Sequence, residues 1–155
     1  ALTGHLVFST LHTNDAVGAI IRLIDMKVEP FLVSSSLEAV LAQRLVRKIC
    51  PKCKEEYPAP ESVVLKHPEL KILHRGKGCK SCNSTGYKGR TGLFELLVVD
   101  DGIRKMIGEK QPADIIKKYA VENGMKTLYE DGISKVLDGT TTLDEVLRVT
   151  EIGEL

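Results

Sequence analysis

The sequence predicts an α/β chain that carries a small cysteine-stapled insert and ends in a helical segment. Three observations predict it. An apolar run, His5-Leu-Val-Phe-Ser-Thr10, breaks into polar residues and gives way to an amphipathic helical repeat, the pattern of a strand passing into a helix. All four cysteines fall in two matched pairs, Cys50-Pro-Lys-Cys53 and Cys79-Lys-Ser-Cys82, within a stretch broken by Pro51, Pro58, Pro60, Pro68, Gly76, Gly78 and Gly86. Beyond residue 100, one capping signal after another marks out helices.

Taken in order, Ala1-Leu-Thr-Gly4 reads as the tail of a helix stopped at Gly4. His5 to Thr10 reads as a buried strand. Thr13, Asn14 or Asp15 caps the next helix, whose apolar stripe is Ala16, Val17, Ala19, Ile20, Leu23 and Ile24. Met26 to Pro30 is a connector, and the chain is helical from Phe31 to about Leu41. Gln43 to Ile49 alternates polar and apolar residues, as a half-buried strand does. Residues 50–86 form the loop-rich insert, with one short helix within Val63 to Leu73. Residues 87–99 read as a strand returning to the main body. In residues 100–155 a helix covers Asp100 to Gly108. A second has Pro112 in its first turn and stops at Asn123-Gly124. A third runs from Met125 to Leu137, and Thr142-Leu-Asp-Glu145 is a capping-box pattern that opens a fourth. The expected domains are therefore 1–49, 50–86, 87–99 and 100–155.

Bulk composition narrows the function. The 155 residues are 43% apolar, enough for a real core, and the 22 basic and 21 acidic residues leave a net charge of +1. That balance gives no electrostatic case for nucleic acid or an anionic membrane as the main partner. There is no Trp for base stacking, and no apolar run approaches the roughly 18 residues that span a bilayer. The expected class is a soluble globular chain of the cytoplasm.

The cysteines point to a metal. Zn2+ takes four thiolates in a tetrahedron, and two residues between cysteines let one tight turn present both sulfurs to it. Two such turns complete a closed structural site with no open position for catalysis. The site's net charge of −2 would be offset by Lys48, Lys52, Lys54, Lys77 and Lys80, which cluster around the pairs. Disulfides would require an oxidising compartment. A thioredoxin-type redox site uses one pair rather than two.

His5 and His12 flank the apolar run, and Thr10, His12, Thr13 and Asn14 form a polar edge ahead of a helix. In α/β folds ligands gather where strands end, and helix N-termini favour phosphate. A neutral imidazole there can donate to a γ-phosphate oxygen or to an attacking water. On composition alone a histidine beside a strand is usually a satisfied core or surface residue; His67 and His74, in the insert, receive no role. Leu96-Leu-Val-Val-Asp100-Asp101 resembles a Walker B strand, but the chain has no GxxxxGK[ST] loop. It reads instead as a buried strand with an acidic helix start. Gly89-Arg-Thr-Gly92 reads as a turn or strand entry.

With these residues in view, the chain resembles the C-terminal part of the secretion ATPases that power type II secretion and type IV pilus assembly. TGHLVFSTLHTNDA is similar to that family's histidine box. AQRLVRKICPKC with GCKSCNSTGYKGRTGLFE is similar to its tetracysteine module, and LYEDGISKVLDGTTTLDEVLRVT to its C-terminal helical segment. The resemblance implies a C-terminal fragment of a RecA-like ATPase domain, with a zinc insert and a helical subdomain. The family's Walker A loop, acidic box and Walker B segment precede the histidine box, so the fragment alone is expected to be inactive.

The resemblance further implies a homo-hexamer as the full-length protein, peripheral at the inner membrane, that binds ATP and Mg2+ and acts on a platform protein of the membrane. It places His5 and His12 near the γ-phosphate, with Thr10 as a weaker candidate. It puts structural Zn2+ on Cys50, Cys53, Cys79 and Cys82. Arg22, Arg44 and Arg47 match basic positions of the family, with salt bridges as their alternative role. A chain that begins within such a domain is expected to expose apolar surface around residues 1–24. The alternative function is a zinc-stapled protein-interaction module without catalysis.

Overall fold

The computed structural model describes residues 3–150. In chain order the elements are α1 (Ala16–Asp25), α2 (Pro30–Ser36), β1 (Ala39–Ile49), β2 (Lys54–Pro58), α3 (Glu61–Lys66), β3 (Ile72–Gly76), β4 (Tyr87–Val98), α4 (Asp101–Gly108), α5 (Ala113–Glu122), α6 (Leu128–Leu137) and α7 (Leu143–Thr150). β1 pairs with β4, and β2 pairs antiparallel with β3. The chain forms two compact units. One holds the residues up to Gln43 together with Phe94–Thr127; the other holds Arg44–Leu93 and the residues from Leu128 on.

In the first unit α2 packs on α4, and α1 packs on α5. Val17, Ile20, Val33, Leu97, Ile103, Ile107 and Ile116 form its core. The predicted stripe of α1 is the face that is buried, at Ala16, Val17, Ala19 and Ile20. Asp15 caps α1 by accepting from the Gly18 amide at 2.8 Å. Asp100 caps α4 by accepting from the Ile103 amide at 2.8 Å, so the Walker-like acid is a helix cap.

In the second unit β2 and β3 run antiparallel with Lys54 opposite Gly76 and Pro58 opposite Ile72. Leu70, Leu73, Leu93, Val136 and Val146 are buried there. Thr141 donates its hydroxyl to the Arg47 carbonyl at 2.8 Å, and the Ile49 amide donates to the Thr140 carbonyl at 2.9 Å.

Several elements depart from expectation. Residues 5–12 form no strand and are exposed, Phe8 at 88%. A strand needs a hydrogen-bonded neighbour, and none pairs with this run among the described residues. The expected apolar surface is thus present at Leu6, Val7 and Phe8 and absent from the buried face of α1. α2 stops at Ser36 rather than near Leu41. Ser34, Ser35 and Ser36 turn their hydroxyls back to the carbonyls of Phe31 and Leu32, and Leu37 is already extended. β1 accordingly begins earlier, at Ala39. The β2–β3 pair was not expected, because Lys54-Glu-Glu-Tyr-Pro58 is almost wholly polar. Pro112 occupies the cap position of α5 rather than its first turn, and α6 begins at Leu128 rather than Met125. Ala1 and Leu2, read as a helix tail, lie outside the described residues, as does the last part of 100–155 beyond Thr150.

Candidate metal centre and the histidine segment

Two turns bring the cysteines together. After β1, the Cys53 amide donates to the Cys50 carbonyl at 3.2 Å and closes the first. The second is a 3-10 turn at Lys80–Cys82, entered at Cys79 and left through Asn83 and Ser84, both in the left-handed region at φ 51° and 61°. The Cys82 and Ser84 amides both donate to the Cys79 carbonyl. The turns are tied to each other, since the Cys50 amide donates to Gly86 at 2.9 Å and the Lys77 amide to Cys53 at 3.0 Å. Gly76 and Gly86 permit this approach: a Cβ on Gly76 would run into the Gly86 carbonyl.

The four sulfurs lie within 4.8 Å of one another. Cys79–Cys82, Cys53–Cys82 and Cys50–Cys79 stand 3.8, 3.9 and 4.0 Å apart, and all four cysteines are free. A tetrahedron with metal–sulfur bonds of about 2.3 Å has edges of about 3.8 Å, so the cluster has the dimensions of a thiolate metal site. Its electrostatics agree. Burial raises the Cys82 thiol, but the Cys79 and Gly86 amides, donating to its sulfur at 3.2 and 3.3 Å, outweigh that and bring it to about 6. Cys53 is pushed up to about 12, by burial first and then by the neighbouring sulfurs. Without a metal the pair Cys53 and Cys82 thus shares its charge unequally, with Cys82 the favoured thiolate; a divalent cation between them would let both ionise.

Of the five lysines expected to offset that charge, Lys77 instead pairs with Glu55 at 2.7 Å. The same unit holds an ionic cluster around one buried acid. Glu145, 2% exposed, accepts from the Arg47 amide at 2.8 Å and pairs with the guanidinium groups of Arg47 at 2.7 Å and Arg148 at 2.9 Å. Arg47 also lies over the Tyr87 ring, 4.1 Å from its centroid. Burial raises the Glu145 carboxyl, yet the hydrogen bonds from Arg47 and Arg148 prevail and hold it at about 2. The predicted capping box is therefore half formed. Thr142 caps α7 by accepting from the Glu145 amide, while the Glu145 side chain is engaged by arginines.

In the first unit, His5, Thr10 and His12 are exposed, and His5 shares a 3.0 Å hydrogen bond with Thr3. His5 to Phe8 line a groove with residues 35–39. The N-terminus of α1, which the sequence suggested for phosphate, already holds two carboxylates: Asp15 on the Gly18 amide, and Glu95 on the Ala16 amide at 2.8 Å. Arg22 is exposed in the last turn of α1, where a cation suits the helix dipole. Arg44 is half-buried and engaged. The structure thus brings together the four cysteines and leaves the histidines in an open segment. Sequence reasoning missed Glu95 and missed the partners of Glu145. Glu95 was marked by one signal, an acid in the middle of Gly92-Leu-Phe-Glu-Leu-Leu-Val-Val99.

Residues 1–148 match the protein family described as "Type II/IV secretion system protein". The chain belongs to that family. Among its relatives, the Type II secretion system protein E of Pseudomonas aeruginosa is 51% identical over 154 residues, covering 97% of this chain and 30% of the relative. The Type II secretion system ATPase E of Vibrio cholerae is 50% identical over 155 residues, with 97% of this chain and 31% of the relative covered. The Type IV pilus assembly ATPase PilB of Thermus thermophilus is 54% identical over 156 residues, covering 97% of this chain and 18% of the relative. The chain spans less than a third of the length of these relatives. No described helix is long and apolar enough to cross a membrane.

Proposed function

We propose that this chain is the C-terminal portion of a hexameric ATPase that powers type IV pilus assembly or type II protein secretion. The observation that carries the reading is identity at about half of all positions, along 97% of the chain, to relatives named as ATPases of those two systems. In this reading residues 1–49 and 87–99 belong to the ATPase core, 50–86 to a metal module, and 100–155 to a helical subdomain. The four cysteines hold structural Zn2+, which fixes the fold of the insert. His5 and His12 face the γ-phosphate, with Thr10 beside them. Their imidazole N–H groups donate to a phosphate oxygen or orient water, the kind of positioning on which phosphoryl transfer depends. Arg22, Arg44 and Arg47 are the candidate basic side chains toward nucleotide, with salt bridges as their alternative role, the one that the pairing of Arg47 with Glu145 favours for Arg47. The phosphate cradle and the Mg2+ ligands come from other parts of the whole protein, so this stretch alone does not turn over ATP. The motor works in the cytoplasm against an inner-membrane platform protein.

The test is His5→Gln and His12→Gln in the whole protein, with ATPase rate and thermal stability measured together. The expected result is a rate lower by about 10²-fold at unchanged Tm. Rates that merely follow Tm would leave the histidines a folding role and favour the interaction module.

A further inference from the structure

Glu95 stands where the core calls for an apolar residue. Leu93, Leu97 and Val99 alternate with it on the buried face of β4 and the residue after it, and Glu95 itself is 1% exposed. A carboxylate at such a position is costly unless it meets donors. One donor is the Ala16 amide, the first of α1, at 2.8 Å. That amide lacks an intrahelical acceptor, and the positive end of the helix dipole favours an anion there. The same turn is held from three further directions. Asp15 accepts from Gly18, the Thr13 hydroxyl donates to the Asp15 carbonyl at 3.0 Å, and Lys117 pairs with Asp15 at 3.4 Å. Residues 13–18 are pinned, and His12 immediately precedes them.

We propose that Glu95 is a positioning residue whose buried carboxylate anchors the first turn of α1 and so fixes where His12 stands. The inference rests on the reading of His12 as phosphate-facing and extends it to a residue 83 positions away along the chain. Glu95 and Asp15 occupy the helix terminus themselves, so the anchor exists before any phosphate arrives. The turn that His12 enters is preset by the fold.

The experiment uses the whole ATPase with Glu95→Leu, which matches the neighbouring core residues, and Glu95→Gln, which keeps an acceptor oxygen and drops the charge. Leu97→Ala is the control for simple core damage. With Glu95→Leu, amide exchange at Ala16 should rise about ten-fold, and kcat should fall about ten-fold with KM for ATP within about two-fold. Glu95→Gln, which keeps an acceptor for the Ala16 amide, should leave a change of about three-fold in each. In a His12→Gln background, Glu95→Leu should cost little further kcat, because the two act through one group. Leu97→Ala should lower Tm without this selectivity. Unchanged Ala16 exchange, unchanged kcat, or an equal loss in the His12→Gln background overturns the proposal. If Glu95→Leu does not fold, Glu95→Gln decides: a rise of about three-fold in Ala16 exchange with a matching fall in kcat supports it, and no change overturns it. Wild-type kcat in His12→Gln itself would overturn the phosphate-facing reading and this inference with it. The exchange at Ala16 would then still tell whether Glu95 holds α1 as plain structure.

Discussion

Around Cys82 every backbone amide from Cys82 to Tyr87 donates a hydrogen bond, to a carbonyl, a hydroxyl or a cysteine sulfur, within a few residues. Around His5 and His12 the chain is exposed, and regular bonding begins only at residues 13–18. Both regions are short and hold potential ligands. The difference is where their order comes from. The cysteine turns are closed by their own neighbours, so their sulfurs converge to 3.8–4.0 Å with no large partner. The histidine segment has the composition of a strand, and among the described residues no strand pairs with it. A metal site can be built locally; a site at a strand end needs its sheet.

The largest test of that contrast is removal of the metal. The chain should carry one Zn2+ by elemental analysis. The ion's binding free energy, about 10–16 kcal/mol in small zinc modules, is folding free energy for the turns it joins. Chelation should abolish amide protection across residues 50–86 while the amides of α1, α4 and α5 keep theirs. Cys82→Ser should do the same without chelator. Protection in 50–86 that survived metal removal would mean that the hydrogen bonds of the turns suffice alone, and that a metal adds nothing to their order.

A smaller effect sharpens the comparison through the two buried acids. Glu95 meets a helix terminus; Glu145 meets two arginines and a strand amide. The folded-state pKa of Glu145, about 2, lies below its ordinary value. Its stabilisation is therefore complete above about pH 4.5 and is lost as pH falls toward 2, on the order of 2–3 kcal/mol in all. Wild-type protein should lose more Tm than Glu145→Gln between pH 5 and about 2.5. Acid also protonates any thiolates of the cysteine cluster, so the difference between the two proteins is the reading. Parallel pH profiles would show that the arginines contribute nothing to the low pKa.

Legibility follows the same division. The two cysteine pairs, a cap for α1 within residues 13–15, the acidic start of α4 and the apolar stripe of α1 could be read because each is decided within a few residues. The early end of α2 was hidden by three serines that serve a helix or break it according to where their hydroxyls turn. The β2–β3 pair was hidden because a polar strand carries no alternation. The pairing of Glu145 with Arg47 and the anchoring bond of Glu95 were hidden for a different reason. The bonds from Arg47 to Glu145 and from Ala16 to Glu95 join residues 98 and 79 positions apart, and no local pattern records such a meeting; Arg148, three residues from Glu145 on α7, was within local reach.

The smallest expected effect bears on the histidine segment itself. Phe8 is 88% exposed, and Leu97, in the core of the same unit, is 1% exposed. A side chain that buries little area contributes little by leaving water. Phe8→Ser should therefore change stability by no more than about 0.5 kcal/mol. Leu97→Ala should cost about 2–5 kcal/mol. Denaturant midpoints of this chain compare the two directly. A cost for Phe8→Ser near that of Leu97→Ala would mean that residues 5–11 are packed in solution. The histidine segment would then be held as firmly as the cysteine turns, by contacts of side chains instead of amides.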